Sequence, residues 1–310
     1  MANLSPRKVI DAFYTTIDTS FQQGMLQSET AIVHAPLIKD VKSTTAKHLH
    51  HFKDFIPNLR EVETNQPMLY RNIKTNDYEV KNREFDLGIS ISRNEFMDNQ
   101  IGDYDDIAAN MGREAILIKD RLAAELVNGA FDTTLTFDGQ PWCGTHTVGL
   151  STFTNVIEGA LTADTLREAI TILRNIKIKP DAESTAQPIN RGKLNFMLAV
   201  HPSLEATAEQ LIKAKTVTTG GDNINYNKAE LMVDNWIEDA NEDYWFLFVT
   251  SGFKPIYFQT REKPWLHTET PETSDVAYSH KEYRWGIITR CAACPTFPWL
   301  VVGGKPASAS

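Results

Sequence analysis

The chain has 310 residues, of which 42% are hydrophobic and 23% charged. These values suit a folded protein with one large core or several smaller ones, and they exclude a disordered polymer, a collagen and a small disulfide scaffold. The net charge of −9 argues against a protein that wraps nucleic acid, because phosphate binding needs clustered Lys and Arg; a local basic patch stays compatible with it. Three cysteines, Cys143, Cys291 and Cys294, are too few for a disulfide framework and suit a reducing compartment. Met1 to Lys8 lacks the apolar core of a signal peptide, and no run of about 18 apolar residues predicts a membrane span. Synthesis in the cytoplasm is the default expectation.

Val9, Ile10, Phe13 and Ile17 recur at helical spacing and predict an amphipathic helix over 6–22. The polar stretch after it, with Lys42-Ser43-Thr44-Thr45 and His48, His50 and His51, reads as an extended arm with a little local helix. Phe85, Leu87, Ile89 and Ile91 alternate with Asp86, Gly88, Ser90 and Ser92, which predicts a strand with one buried face. Met68 to Ile73 and Tyr78 to Val80 read as its upstream partner across the turn-like 74–77, giving a long hairpin. A lone hairpin is marginal in water, so this one is expected to lie against something, such as another subunit.

The clearest helix spans 103–128. Ile107, Met111, Ala115, Ile118, Leu122 and Leu126 form one apolar stripe, Asp103 serves as N-cap, Asp105 and Asp106 suit the first turn, and Asn128-Gly129 stops it. At 1.5 Å per residue it is about 38 Å long, a strut. A turn-rich connection (137–142) precedes a helix over 163–176 capped by Thr162. Residues 179–193 read as an exposed loop, 194–200 as a buried strand, and Pro202 opens a helix reaching Ala214. A polar, mobile segment is expected at 216–227. Strands follow at 229–236 and 244–250, joined by the acidic turn 238–243, and then at 255–260 and 282–291. The order of elements is that of an α+β protein.

Few constellations point to chemistry. Cys291-Ala292-Ala293-Cys294 precedes Pro295, so no helix N-terminus lowers a thiol pKa there, and two small packing residues are the simpler account. Cys143, His146, Cys291 and Cys294 would make a zinc complement only if the fold joined two halves about 145 residues apart. The histidine cluster at 48–51 has no carboxylate at ligand spacing and reads as solvated or interface-facing. His201 is placed to open the helix at Pro202. Phosphate-binding glycine motifs, a nucleophile elbow and the paired-histidine zinc motif are all absent from the sequence. Most tryptophans read as core, with some as interface anchors. No catalytic residue and no cofactor is predicted.

The order and spacing of four segments resemble the Mu-like major head subunit family of tailed phages, which has the Hong Kong 97-type capsid fold. They are Tyr78 to Asp106, with Ile91-Ser92-Arg93 and Asn99-Gln100-Ile101-Gly102-Asp103-Tyr104; Asp138-Gly139-Gln140-Pro141-Trp142 with His146; Leu194 to Leu211; and Lys254-Pro255-Ile256 with Gln259-Thr260-Arg261, followed by Tyr283-Arg284-Trp285-Gly286. Together they run over about 78–286. Cys143 stands where that family has an aromatic, a departure that concerns local packing.

The resemblance implies an N-terminal arm (1–50), an extended loop reaching over a neighbour (51–101), a peripheral domain with a spine helix (102–149 and 245–310) and an axial domain (150–244). It implies a major capsid protein: homo-hexamers and pentamers closing into an icosahedral shell around double-stranded DNA that is enclosed without sequence-specific binding. Portal, scaffold and decoration proteins are the implied partners, with any scaffold separate or removed earlier. The virion is the implied location, with no membrane involved. Tyr70, Tyr78, Phe85, Leu87 and Ile89 become the expected inter-subunit contacts. Two other readings stay open: a bacterial nanocompartment shell protein and a soluble zinc-dependent enzyme.

Overall fold

The computed structural model describes residues 6–53, 59, 62, 68, 70, 75–92, 94, 102–216, 221–268 and 279–306. In chain order the helices are α1 (Pro6–Ser28), α2 (Gly102–Asn128), α3 (Ala163–Asn175) and α4 (Glu205–Ile212). The strands are β1 (Ile38–Lys42), β2 (Lys47–Lys53), β3 (Thr75–Lys81), β4 (Arg83–Ser92), β5 (Thr145–Val148), β6 (Ser151–Thr154), β7 (Val156–Glu158), β8 (Lys177–Ile178), β9 (Gln187–Pro188), β10 (Phe196–Val200), β11 (Glu230–Val233), β12 (Trp245–Val249), β13 (Ile256–Thr268), β14 (Glu282–Pro295) and β15 (Val301–Lys305).

One half of the molecule is a four-stranded sheet of order β1-β13-β14-β4. The alternation at 85–91 is a strand, as the period of two requires, yet its partner is β14, with Ile89 opposite Trp285 and Ile91 opposite Tyr283. The expected pairing with 68–73 and 78–80 is therefore corrected: residues 75–81 pair with 47–53, and the turn expected at 74–77 gives way to strand from Thr75. The apolar face of β4 meets two helices of its own chain. Ile91, Tyr283 and Trp285 pack with Ile17 of α1 and Ala108 of α2, and Ile287 packs with Phe21, Met111 and Ala115.

α1 runs six residues past the expected end because Ile17, Phe21, Gly24 and Ser28 continue its buried stripe. It lies so close to α2 that a Cβ on Gly24 would sit 2.0 Å from the Ala109 carbonyl oxygen, and one on Gly112 2.2 Å from that of Phe21. Backbone-to-backbone contact of this kind admits only hydrogen in place of a side chain. Ile107, the outermost member of the predicted α2 stripe, is 37% exposed, whereas Met111, Ala115, Ile118 and Leu122 are buried.

The other half is a five-stranded sheet of order β11-β10-β12-β15-β7. Every residue of β10 and β12 is buried, so each reads as a continuous apolar run rather than an alternation. One face, with Leu198, Leu247 and Val302, packs on Leu166 and Leu173 of α3 and Ile212 of α4. The opposite face, with Ala199, Phe246 and Phe248, packs on Leu122 and Val127 of α2 and on Trp142. The sheet draws strands from both sides of residue 244, since β12 pairs with β10.

Thr162 caps α3 in a reciprocal capping box with Thr165. His201 accepts a hydrogen bond from the Ser203 N–H and opens the turn before α4. The helix expected to reach Ala214 is a short 3-10 turn followed by α4, which ends at Ile212. Residues 217–220 of the segment expected to be mobile lie outside the described residues.

Candidate functional site

No constellation of reactive side chains dominates the surface. The feature that stands apart is the two-stranded β2–β3 hairpin, which shares no strand pairing with either large sheet. Ion pairs decorate its outer surface: Lys47 with Glu79 at 2.5 Å and His51 with Asp77 at 2.7 Å, all well exposed. Of the stretch between the strands, the described residues Leu59, Met68 and Tyr70 are 103%, 76% and 86% exposed. Among the expected contacts, Tyr70 thus faces solvent and Leu87 is 40% exposed, while Phe85 and Ile89 are half-buried and pack within their own chain. Phe85 also lies between the guanidinium groups of Arg83 and Arg121, at 5.1 and 5.5 Å from its ring centre.

The hairpin is anchored through a buried polar hub. The Asn82 amide donates to Ser43 Oγ at 2.9 Å and to the Thr45 carbonyl at 2.8 Å. Gln259 of β13 donates to Asn82 Oδ1 at 2.9 Å and to the Val80 carbonyl at 3.1 Å. His50 Nε2 lies 2.9 Å from Gln259 Oε1, so that nitrogen carries the proton. Burial lowers the His50 pKa and the charges of His48 and His51 add to this, against the Gln259 hydrogen bond. The expected solvated histidine cluster is corrected accordingly: His50 is buried and bonded, while His51 is exposed. Tyr78, an expected contact, is half-buried, donates to the Leu135 carbonyl at 3.0 Å, and has its pKa pushed up to about 12 by burial and by nearby Cys294. Beside it opens a groove of about 710 Å³ lined by Glu125, Phe131, Asp132, Leu135 and Tyr244 among others.

The zinc candidates are held apart by other partners. His146 Nδ1 bonds Asp138 Oδ2 at 2.9 Å, and its Nε2 lies 3.3 Å from the Trp142 carbonyl. Cys294 Sγ is 3.7 Å from His50 Nε2, and Cys143 and Cys291 sit in the apolar core. Burial pushes all three thiols up, Cys291 to about 11 and Cys294 to about 12. Among the described residues no group of three or more His, Cys, Asp or Glu has the geometry to hold a metal ion. The Asp138–His146 pair fixes the Asp-Gly turn: Thr136 also donates to Asp138, at 2.5 Å. Burial alone would raise the Asp138 pKa, but the hydrogen bonds from His146, Thr136 and Gln140 outweigh it and hold the carboxyl below its ordinary value.

A second polar cluster had no advance signal on His34 itself. His34 is fully buried, with Nδ1 2.9 Å from Asp120 Oδ1 and Nε2 2.8 Å from Asp234 Oδ2. The Val33 and His34 amides both donate to Asp120 at 2.9 Å. One sequence signal existed: Asp120 shares a helix face with Ala123 and Val127, which are buried, and an acid on a buried face needs a partner.

The model of the family described as Mu-like prophage major head subunit gpT matches residues 10–156, 146–237 and 233–308. The chain belongs to this family. A relative, the Mu-like prophage FluMu major head subunit of Haemophilus influenzae, is 26% identical over 150 residues, 48% of this chain and 47% of that protein. The chain thus spans about half the length of the curated relatives it matches. Among solved structures, the procapsid of bacteriophage JBD30 aligns over 97% of this chain and 76% of its own, at 18% identity and TM-score 0.57. The capsid of cyanophage P-SCSP1u aligns over 90% and 88%, at 9% identity and TM-score 0.61. The fold is the α+β Hong Kong 97 type. Among the described residues no helix is long and apolar enough to cross a membrane.

Proposed function

We propose that this chain is a major head subunit whose copies assemble, as hexamers and pentamers, into a closed icosahedral shell around double-stranded DNA. The observation that carries the reading is the family match from residue 10 to 308, laid over a fold whose β2–β3 pair stands outside both larger sheets, with Leu59, Met68 and Tyr70 exposed between its strands. Repeated contacts between unlike patches build rings and closed shells, and many weak interfaces per copy give collective strength. The net charge of −9 suits a container that encloses DNA without gripping it.

In this reading residues 1–50 are the arm, 51–101 the extended loop, 102–149 with 245–310 the peripheral domain and 150–244 the axial domain. Tyr70 and Leu87, with the rest of the loop, contact a neighbouring copy. Portal and scaffold proteins, with decoration proteins on some shells, are its partners in the virion, and synthesis takes place in the host cytoplasm. The subunit performs no catalysis.

Negative-stain imaging of the purified full chain tests this. Shells, with nuclease-protected DNA when isolated from producing cells, are the expected result. Shells holding enzyme cargo instead of DNA would convert the reading to a nanocompartment. A compact monomer with a radius of gyration of about 19–20 Å and no shells at any concentration would overturn it.

A further inference from the structure

The His34 cluster joins three parts of the chain that share no strand pairing with one another. His34 belongs to the turn between α1 and β1, Asp120 to the middle of α2, and Asp234 to the turn after β11. Ionised carboxylates accept hydrogen bonds and donate none, and a neutral imidazole has only one N–H. Here both ring nitrogens lie within 2.9 Å of carboxylate oxygens. With both carboxylates ionised, both contacts are satisfied together only if the ring carries two protons; otherwise one nitrogen lone pair faces a carboxylate lone pair in a dry site. All three side chains are at most 1% exposed, so water cannot relieve that clash.

We propose that His34 is a proton-held pin: as an imidazolium it locks the 33–37 turn to α2 and to the Asp234 turn, and when it loses its proton the turn is released. The groups facing it are Asp120 from α2 and Asp234 from the β11 side. The flanking charges have partners of their own. Lys119 pairs with Asp40 at 2.7 Å, and Lys254 donates to the Pro36 carbonyl at 2.7 Å. The other oxygens of the two carboxylates accept backbone N–H groups, Asp120 Oδ2 from Val33 and Asp234 Oδ1 from Trp236, so neither carboxylate can turn away to find another partner.

The energetics agree with the geometry. Burial alone would lower the His34 pKa, but the hydrogen bonds and charges of Asp120 and Asp234 outweigh it and raise it from 6.5 to about 9. A raised histidine pKa stabilises the folded state fully below the unfolded value, and that contribution drains away as pH rises through the folded value. The window is therefore pH 6.5 to 9.

Hydrogen exchange of the full chain tests the pin. After correction for intrinsic rates, protection of the Val33 and His34 amides is expected to fall by roughly thirty- to a hundredfold between pH 7 and 9.5. In His34→Gln, which offers one donor and one acceptor, protection at pH 7 should be lower and should lack that step. Unchanged protection in the parent chain, or the same step in His34→Gln, would overturn the proposal. Should the variant fail to fold, the ring nitrogens of 15N-labelled parent chain decide: two protonated nitrogens at pH 7 support the pin, and a neutral ring at pH 7 refutes it.

Discussion

The five-stranded sheet and the β2–β3 hairpin solve opposite problems. Each strand residue of β10 and β12 is buried between helices, and burying a large apolar side chain contributes about 1.5–3 kcal/mol each. The hairpin buries little and is held at its base by directional bonds among Ser43, His50, Asn82 and Gln259. Apolar packing supplies bulk stability with little say over angle. A hub of short hydrogen bonds adds only about 0.5–1.5 kcal/mol per bond, yet it fixes direction, because a misaligned buried donor loses its partner. One region supplies bulk stability; the other is held in a fixed direction by its hub.

That division of labour can be broken by mutation. Replacing residues 54–74 with a two-residue turn should leave β2 and β3 paired and the subunit folded, while abolishing shells in negative stain. Normal shells from this deletion would dissolve the contrast. Leu247→Ala in β12 should cost about 2–5 kcal/mol in denaturant unfolding, with any shells formed below that threshold being normal in shape. Gln259→Leu should cost about 1–3 kcal/mol by stranding Asn82 and His50, and its sharper signature should be malformed or open particles. Acid sharpens the contrast on a smaller scale. Asp138, whose folded pKa lies below 3.8, contributes stability above that value and loses it as pH falls through the folded one. Asp138→Asn should therefore flatten the acid limb of a Tm profile below about pH 4. Smallest is Thr162→Ala, which removes the α3 cap at about 1 kcal/mol and should leave assembly untouched.

Elements that rest on local signals were legible in the sequence. α2 and α3 carry apolar stripes and caps, and β10 and β12 are short apolar runs that nothing but a buried strand satisfies. The partner of β4 was not legible, because β14 lies about 200 residues away and adjacency favoured the nearer segment. β15 was missed for another reason. Val301-Val302-Gly303-Gly304-Lys305 looks like a poor strand by propensity, yet a Cβ on Gly304 would fall 2.0 Å from the Trp245 ring, so the glycine is there to make room for the indole. β1, with Ile38, Lys39, Asp40, Val41 and Lys42, places its two apolar residues three apart and so lacks a strand's alternation; it is fixed by its parallel neighbour β13. Of the expected contacts, Tyr70 and Leu87 were distinguishable by exposure only after folding. His34 had no pattern of its own, since its partners are 86 and 200 residues away.

β15 lies between β12 and β7, pairing antiparallel with one and parallel with the other. Without Val301–Lys305 that sheet would be split in two, and the facing edges of β12 and β7 would lose their hydrogen-bonding partner.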